Sequence, residues 1–197
     1  MDFLKAVENR RSHYSLSGES PVSDQELKQL IEHALKHTPS AFNSQSSRII
    51  LLIGAEHKKL WSMVLETLRA IVPADAFAAT EERIQSFAAA YGSVLYYEDQ
   101  DAVTALQEKF PAYADNFPVW SQQHSGMLQL TVWTALEAAG LGASLQHYNP
   151  LIDDQVRSEW NVPANWKLIA QMPFGKSTAE PGPKEYMPLE DRLQVFG

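Results

Sequence analysis

Cysteine is absent from the 197 residues, so disulfides, thiolate metal centres and a cysteine nucleophile are all excluded, and redox chemistry would need a borrowed cofactor. Long apolar runs are also missing. No stretch approaches the roughly 20 uninterrupted apolar residues of a membrane span, and Asp2, Lys5, Glu8, Arg10 and Arg11 stand where a signal peptide would be apolar. A cytoplasmic protein with no membrane partner is expected. Positive charge is scarce: 16 Lys and Arg against 24 Asp and Glu leave a formal net charge of -8, which opposes a polyphosphate surface, so no nucleic-acid partner is expected. Among the histidines only His33 and His37 have the i, i+4 spacing that lets two imidazoles share a metal, and no glutamate lies between them. The pair reads as a helix-end feature, and no metal site is expected.

What is present is a composition 45% apolar, enough for one full core and one domain spanning residues 1–197. Residues 2–9 have the pattern of a short opening helix. Ser23 with Glu26 forms a capping box, and Leu27, Leu30, Ile31, Ala34 and Leu35 repeat at helical spacing to about His37, before Pro39. The apolar run Ile49 to Ile53 reads as a buried strand. Helices are expected over 58–70 and 75–91, and a strand over 93–97. The segment 118–139 is apolar nearly all round and predicts a helix covered on every side, within one core or by its twin in a second subunit. A strand over 143–148, a helix over 153–160 and a last core strand over 167–172 follow. From Pro173 onward the prolines predict an extended arm. The whole is an α+β pattern.

Three clusters carry chemistry. Arg10-Arg11-Ser12-His13-Tyr14 places two guanidinium forks and a hydroxyl at a helix end, which suits a phosphate; solvated surface arginines are the competing reading. The loop Pro39-Ser40-Ala41-Phe42-Asn43-Ser44-Gln45 runs into a strand, and its Asn43 and Gln45 amides each offer a donor and an acceptor, as the edge of a flavin ring or a ribityl chain requires. An ordinary polar turn would look the same. Gln146-His147-Tyr148-Asn149 closes a strand with rings that can border a planar cofactor or can simply be buried. The Gly140-Leu141-Gly142 segment lacks the third glycine of a dinucleotide fingerprint and follows a helix where that motif follows a strand.

The order and spacing of these clusters resemble the nitroreductase family, especially its short fatty-acid-repression-like branch, over almost the whole chain. The resemblance implies a central, mostly antiparallel sheet of four or five strands flanked by helices, with long interface helices and a C-terminal arm. It also implies FMN as cofactor. Arg10, Arg11, Ser12 and Tyr14 would lie at the FMN phosphate, and Pro39, Ser40, Asn43 and Gln45 at the ribityl chain and pyrimidine edge. Gln146, His147 and Tyr148 would lie beside the ring, within a Gly-Leu-Gly-x-Ser-Leu-Gln-His-Tyr-Asn-Pro run matched from Gly140 to Pro150. Arg192 matches one member of a basic pair near the C-terminus; Glu190 stands where the other would be, leaving Lys176 or Lys184 to substitute. The implied activity is electron transfer from NAD(P)H through FMN N5 to nitroaromatic or quinone-like acceptors in a ping-pong cycle, with no catalytic side chain, by a homodimer. A flavin-binding regulatory or sensor protein with little turnover is the alternative.

Overall fold

The computed structural model describes residues 2–197. Its helices are α1 (Phe3–Asn9), α2 (Asp24–His37), α3 (Ala55–Arg69), α4 (Phe77–Ala88), α5 (Gln100–Lys109), α6 (Phe117–Ala138) and α7 (Asp153–Glu159). Its strands are β1 (Leu16–Ser17), β2 (Ser47–Ile53), β3 (Gly92–Asp99), β4 (Gly142–Ala143) and β5 (Trp166–Ser177). Strands β1, β5, β3 and β2 lie in that order, β4 adds to β5, and every named pairing is antiparallel. The α+β expectation holds.

All residues of β3 are buried, because the sheet is covered on both faces and strand side chains alternate between them. Val94 and Tyr96 join Leu27, Ile31, Leu128, Val132 and Leu136 in a core against α2 and α6. Leu95 and Tyr97 join Leu60, Trp61, Val64, Ile84, Phe87 and Val156 in a second core against α3, α4 and α7. Each side chain fully buried this way contributes about 1.5–3 kcal/mol relative to exposure. Helix α2 starts as its sequence dictates: the Ser23 hydroxyl accepts the Glu26 backbone N–H, and the Glu26 carboxylate accepts the Ser23 backbone N–H at 2.8 Å.

Several expectations need correcting. The arm does not begin at Pro173, because β5 runs through that residue to Ser177. The Pro173 carbonyl accepts the Ser144 N–H at 3.3 Å, so its ring nitrogen also points to the β4 side and removes no bond from the β3 ladder. The same missing N–H cuts the strand expected over 143–148 to Gly142–Ala143, with one further bridge from Gln146 to Gln171. The helix expected over 75–91 spans only Phe77–Ala88, as Ala90 and Tyr91 turn into β3. Helix α5 carries almost no periodic signal, since Val103 alone is buried.

Helix α6 organises the molecule. Ser121, His124, Ser125, Leu128, Gln129, Val132 and Leu136 face inward, while Val119, Met127 and Leu130 are exposed on its other side. Both faces carry apolar side chains, the inward one alternating them with Ser121, His124, Ser125 and Gln129, and only that one is covered within the chain. No described helix is long and apolar enough to cross a membrane.

Candidate active site

The segment after α1 is fixed against β4. His13 N donates to the Ala143 carbonyl at 2.9 Å, and Ser12 forms a parallel bridge with Ala143. Gly142 permits this approach, because a Cβ there would meet the His13 side chain at 2.8 Å. The His13 Nδ1 lies 2.9 Å from Ser177 Oγ, whose own proton goes to the Ala179 carbonyl, so His13 must donate at Nδ1. Its Nε2 is 3.4 Å from Glu137. Burial raises the Glu137 carboxyl above its usual range, opposed by His13 and Arg10. The Arg10 guanidinium lies 4.5 Å above the Trp133 ring of α6.

The arm after β5 folds back over this segment. Thr178 N donates to the Ser15 carbonyl at 2.9 Å, and Arg11 Nη2 donates to the Gly182 carbonyl at 2.6 Å. Between segment and arm lies a cavity of about 500 Å³, whose wall carries Arg10, Arg11, Ser12, Tyr14 and Lys184 against a single carboxylate, Glu180. A second cavity of about 500 Å³ shares Tyr14 and Ser15 with the first and continues to Arg83, Ser86, Leu145 and Gln146. Arg83 stands on its wall beside the carboxylate Glu82. Three cations and hydroxyls at one end, and the Gln146 amide with Phe87 and Leu145 among polar side chains at the other, fit the phosphate and ring ends of a flavin nucleotide.

The amide loop lies elsewhere. Phe42 sits over Trp120 of α6, with ring centroids 6.0 Å apart, whereas Arg10 covers Trp133 of the same helix; 13 residues of helix correspond to roughly 20 Å. Phe42, Asn43 and Gln45 all adopt positive φ, at 54°, 52° and 47°, a conformation that non-glycine residues seldom take. Ser40 Oγ accepts the Gln45 N–H at 3.0 Å. Gln45 borders a third cavity, of about 360 Å³, with Lys36, Ser47, Arg48 and His124.

Behind the loop, Glu98 is fully buried and accepts hydroxyls from Ser46 at 2.6 Å, Ser121 at 2.7 Å and Ser47. Because the Ser47 proton goes to Glu98, His124 Nδ1, 3.2 Å away, must donate to Ser47. Burial lowers the His124 imidazolium below its usual range, opposed by Glu98.

The structure therefore gathers Arg10, Arg11, Ser12 and Tyr14 with Lys184, and joins Gln146 to them through the second cavity. Pro39, Ser40, Asn43 and Gln45 form a separate group. His147 is exposed, and Tyr148 is half-buried with its ring edge-on to Trp61 at 5.8 Å and its backbone N–H bound to Gln171 at 2.7 Å; neither lines the two cavities. Arg192 is exposed on the arm, and Lys176 is committed to Glu19 at 2.9 Å. The His33 and His37 rings lie 4.4 Å apart, tilted by 44°, and no metal-holding group of three or more His, Cys, Asp or Glu exists among the described residues. The sequence reading missed Arg83, Glu98 and His124. Arg83 stands in a charged helix face, Glu98 is followed by Asp99, Gln100 and Asp101, and His124 lies in the polar run Ser121-Gln122-Gln123-His124-Ser125, so none of the three gives a local signal.

This sheet, its long two-faced helix and a cationic cavity beside β4 define a nitroreductase-type fold. Residues 7–176 match the family profile described as the nitroreductase family. The nitroreductase CinD from Lactococcus lactis, solved in complexes with nicotinic acid, chloramphenicol and 4-nitrophenol, is similar along the full length of both chains; the nicotinic acid complex has 45% identity and a TM-score of 0.93. Nitroreductase FRM2 of Saccharomyces cerevisiae is 37% identical over 189 residues, covering 94% of this chain and 93% of that protein. A protein of Exiguobacterium sibiricum solved with FMN shares the fold at 16% identity, with a TM-score of 0.73 over 100% of this chain and 98% of that one. The chain belongs to the nitroreductase family and is an oxidoreductase of that type.

Proposed function

We propose that the protein binds FMN and, as a homodimer, passes electrons from NADH or NADPH to nitroaromatic or quinone-like acceptors in a ping-pong cycle. The observation that carries this reading is the pair of adjoining cavities, cationic at one end and amide-lined at the other. Arg10, Arg11, Ser12 and Lys184 hold the phosphate, and Tyr14 lines the passage between the two ends. Gln146 meets the polar edge of the ring, and Arg83, exposed beside Glu82, borders the same end of the site. FMN, when bound, supplies the redox chemistry itself, accepting electrons from the nicotinamide and yielding them to the acceptor. No acid, base or nucleophile is required of the chain.

The CinD complexes support small aromatic ligands at a site of this kind, and the Exiguobacterium structure supports FMN in the fold. The exposed apolar side of α6, with Phe3, Leu4 and the arm residues Tyr186, Met187, Leu189, Leu193, Val195 and Phe196, favours burial against a second copy. A twofold axis across α6 brings Asn43 and Gln45 of one chain to the arginine cavity of the other. Arg192, His147 and Tyr148 line neither cavity within one chain and join the proposed site only if assembly brings them to it.

The test is spectroscopic. Protein reconstituted with FMN is expected to be yellow, to bleach with NADH or NADPH without oxygen, and to recover when 4-nitrophenol or a quinone is added. Protein that retains no FMN contradicts the cofactor reading, and flavin that never bleaches contradicts the enzymatic one and favours a sensor.

A further inference from the structure

The carboxylate of Glu98 has no ion-pair partner among the described residues; the neighbouring cation Arg48 is committed to Asp99 at 2.7 Å. A buried carboxylate is costly to keep, and this one is met only by the hydroxyls of Ser46, Ser47 and Ser121. What the charge does is tie three places together: the end of the amide loop, the start of β2 and the first half of α6.

Ser46 follows Gln45 directly, at the end of a run in which Phe42, Asn43 and Gln45 all hold positive φ. Such a run persists only where its surroundings over-determine it. The local restraints are the turn bonds from Asn43 N–H to the Ser40 carbonyl and from Ser44 N–H to the Ala41 carbonyl, both at 3.0 Å, the Ser40 hydroxyl on the Gln45 N–H, the Arg48 guanidinium on the Gln45 carbonyl at 2.6 Å, and the Ser46 carbonyl, which accepts the Asp99 N–H at 2.9 Å. Glu98 adds two charge-assisted bonds immediately beyond the loop and one to α6, the helix on which Phe42 rests.

We propose that Glu98 is a positioning residue of the cofactor site, holding Asn43 and Gln45 in their left-handed conformation through Ser46, Ser47 and Ser121. This rests on the FMN reading above. The test is a double-mutant cycle in FMN affinity, read from flavin fluorescence quenching on the full-length protein. Glu98→Gln and Ser46→Ala are each expected to weaken FMN binding about tenfold, the equivalent of one lost hydrogen bond. Combined with Asn43→Ala plus Gln45→Ala, neither should weaken it further, because the amides they position are already gone. Losses that add in full, or a folded Ser46→Ala protein with unaltered FMN affinity, overturn the proposal. If Glu98→Gln does not fold, the Ser46→Ala cycle decides alone. Failure of the unaltered protein to bind FMN overturns both readings, whereas normal binding by the unaltered protein and by every variant overturns this one only.

Discussion

The two ends of α6 handle charge in opposite ways. At the Trp133 end, Arg10, Arg11 and Lys184 face an open cavity with one carboxylate among them. At the Trp120 end an anion, Glu98, is enclosed and its bonds are made by the chain's own hydroxyls. Cations left facing a void are available to a ligand; an anion satisfied internally is available only to hold structure. On the proposed FMN reading the first end binds, the second positions, and a flavin site needs both.

The largest expected effect extends the positioning logic to a second buried ionisable group. His57 is fully buried, with Nδ1 2.9 Å from Ser93 Oγ, and burial pushes its imidazolium down to about 4, partly offset by the backbone of Ala88 and Phe87. Above pH 6.5 neither the folded nor the unfolded chain protonates this ring. Between pH 6.5 and about 4 the unfolded chain takes up a proton that the folded one refuses, so stability falls as pH falls. The loss attributable to His57 is about 3 kcal/mol at the acid end. Urea unfolding of the wild type and of His57→Gln at pH 7 and pH 4.5 checks it; equal pH slopes would remove His57 from the account.

Next in size, Arg10→Ala should weaken FMN binding by about 1.5–3 kcal/mol, typical of a hydrogen bond to a charged group. Unfolding free energy should change far less, because the guanidinium lies over Trp133 at the cavity wall. A variant that loses stability but not FMN would reverse the roles assigned to the two ends. Smallest, Ser23→Ala should cost about 1 kcal/mol of stability through the lost cap of α2, with FMN affinity intact because Ser23 borders neither flavin-sized cavity. Chemical denaturation with an FMN titration separates the two outcomes.

The parts legible in the sequence are those whose partners lie close along the chain. The capping box needs residues three apart, α6 declares its two apolar faces by composition, and Arg10-Arg11-Ser12 is contiguous. Glu98 shows the opposite case: its hydroxyl partners stand 52, 51 and 23 positions away, so no local pattern reveals them. Pro173 misleads for a related reason, since a proline ends a strand only where its missing N–H was needed, and here it faces the edge where β4 stops. Arg83 becomes visible only when α4 is packed beside Leu145 and Gln146.

The claim that each flavin site takes its arginines from one chain and its amide loop from another is tested most directly by mixing subunits. One chain carries Arg10→Ala with Arg11→Ala, the other Asn43→Ala with Gln45→Ala, and each homodimer alone should bind FMN poorly. Purified mixed dimers should hold one tightly bound FMN per dimer, because one site then receives both intact parts. Mixed dimers with no tightly bound FMN would show that both parts of each site come from the same chain, and would contradict the account.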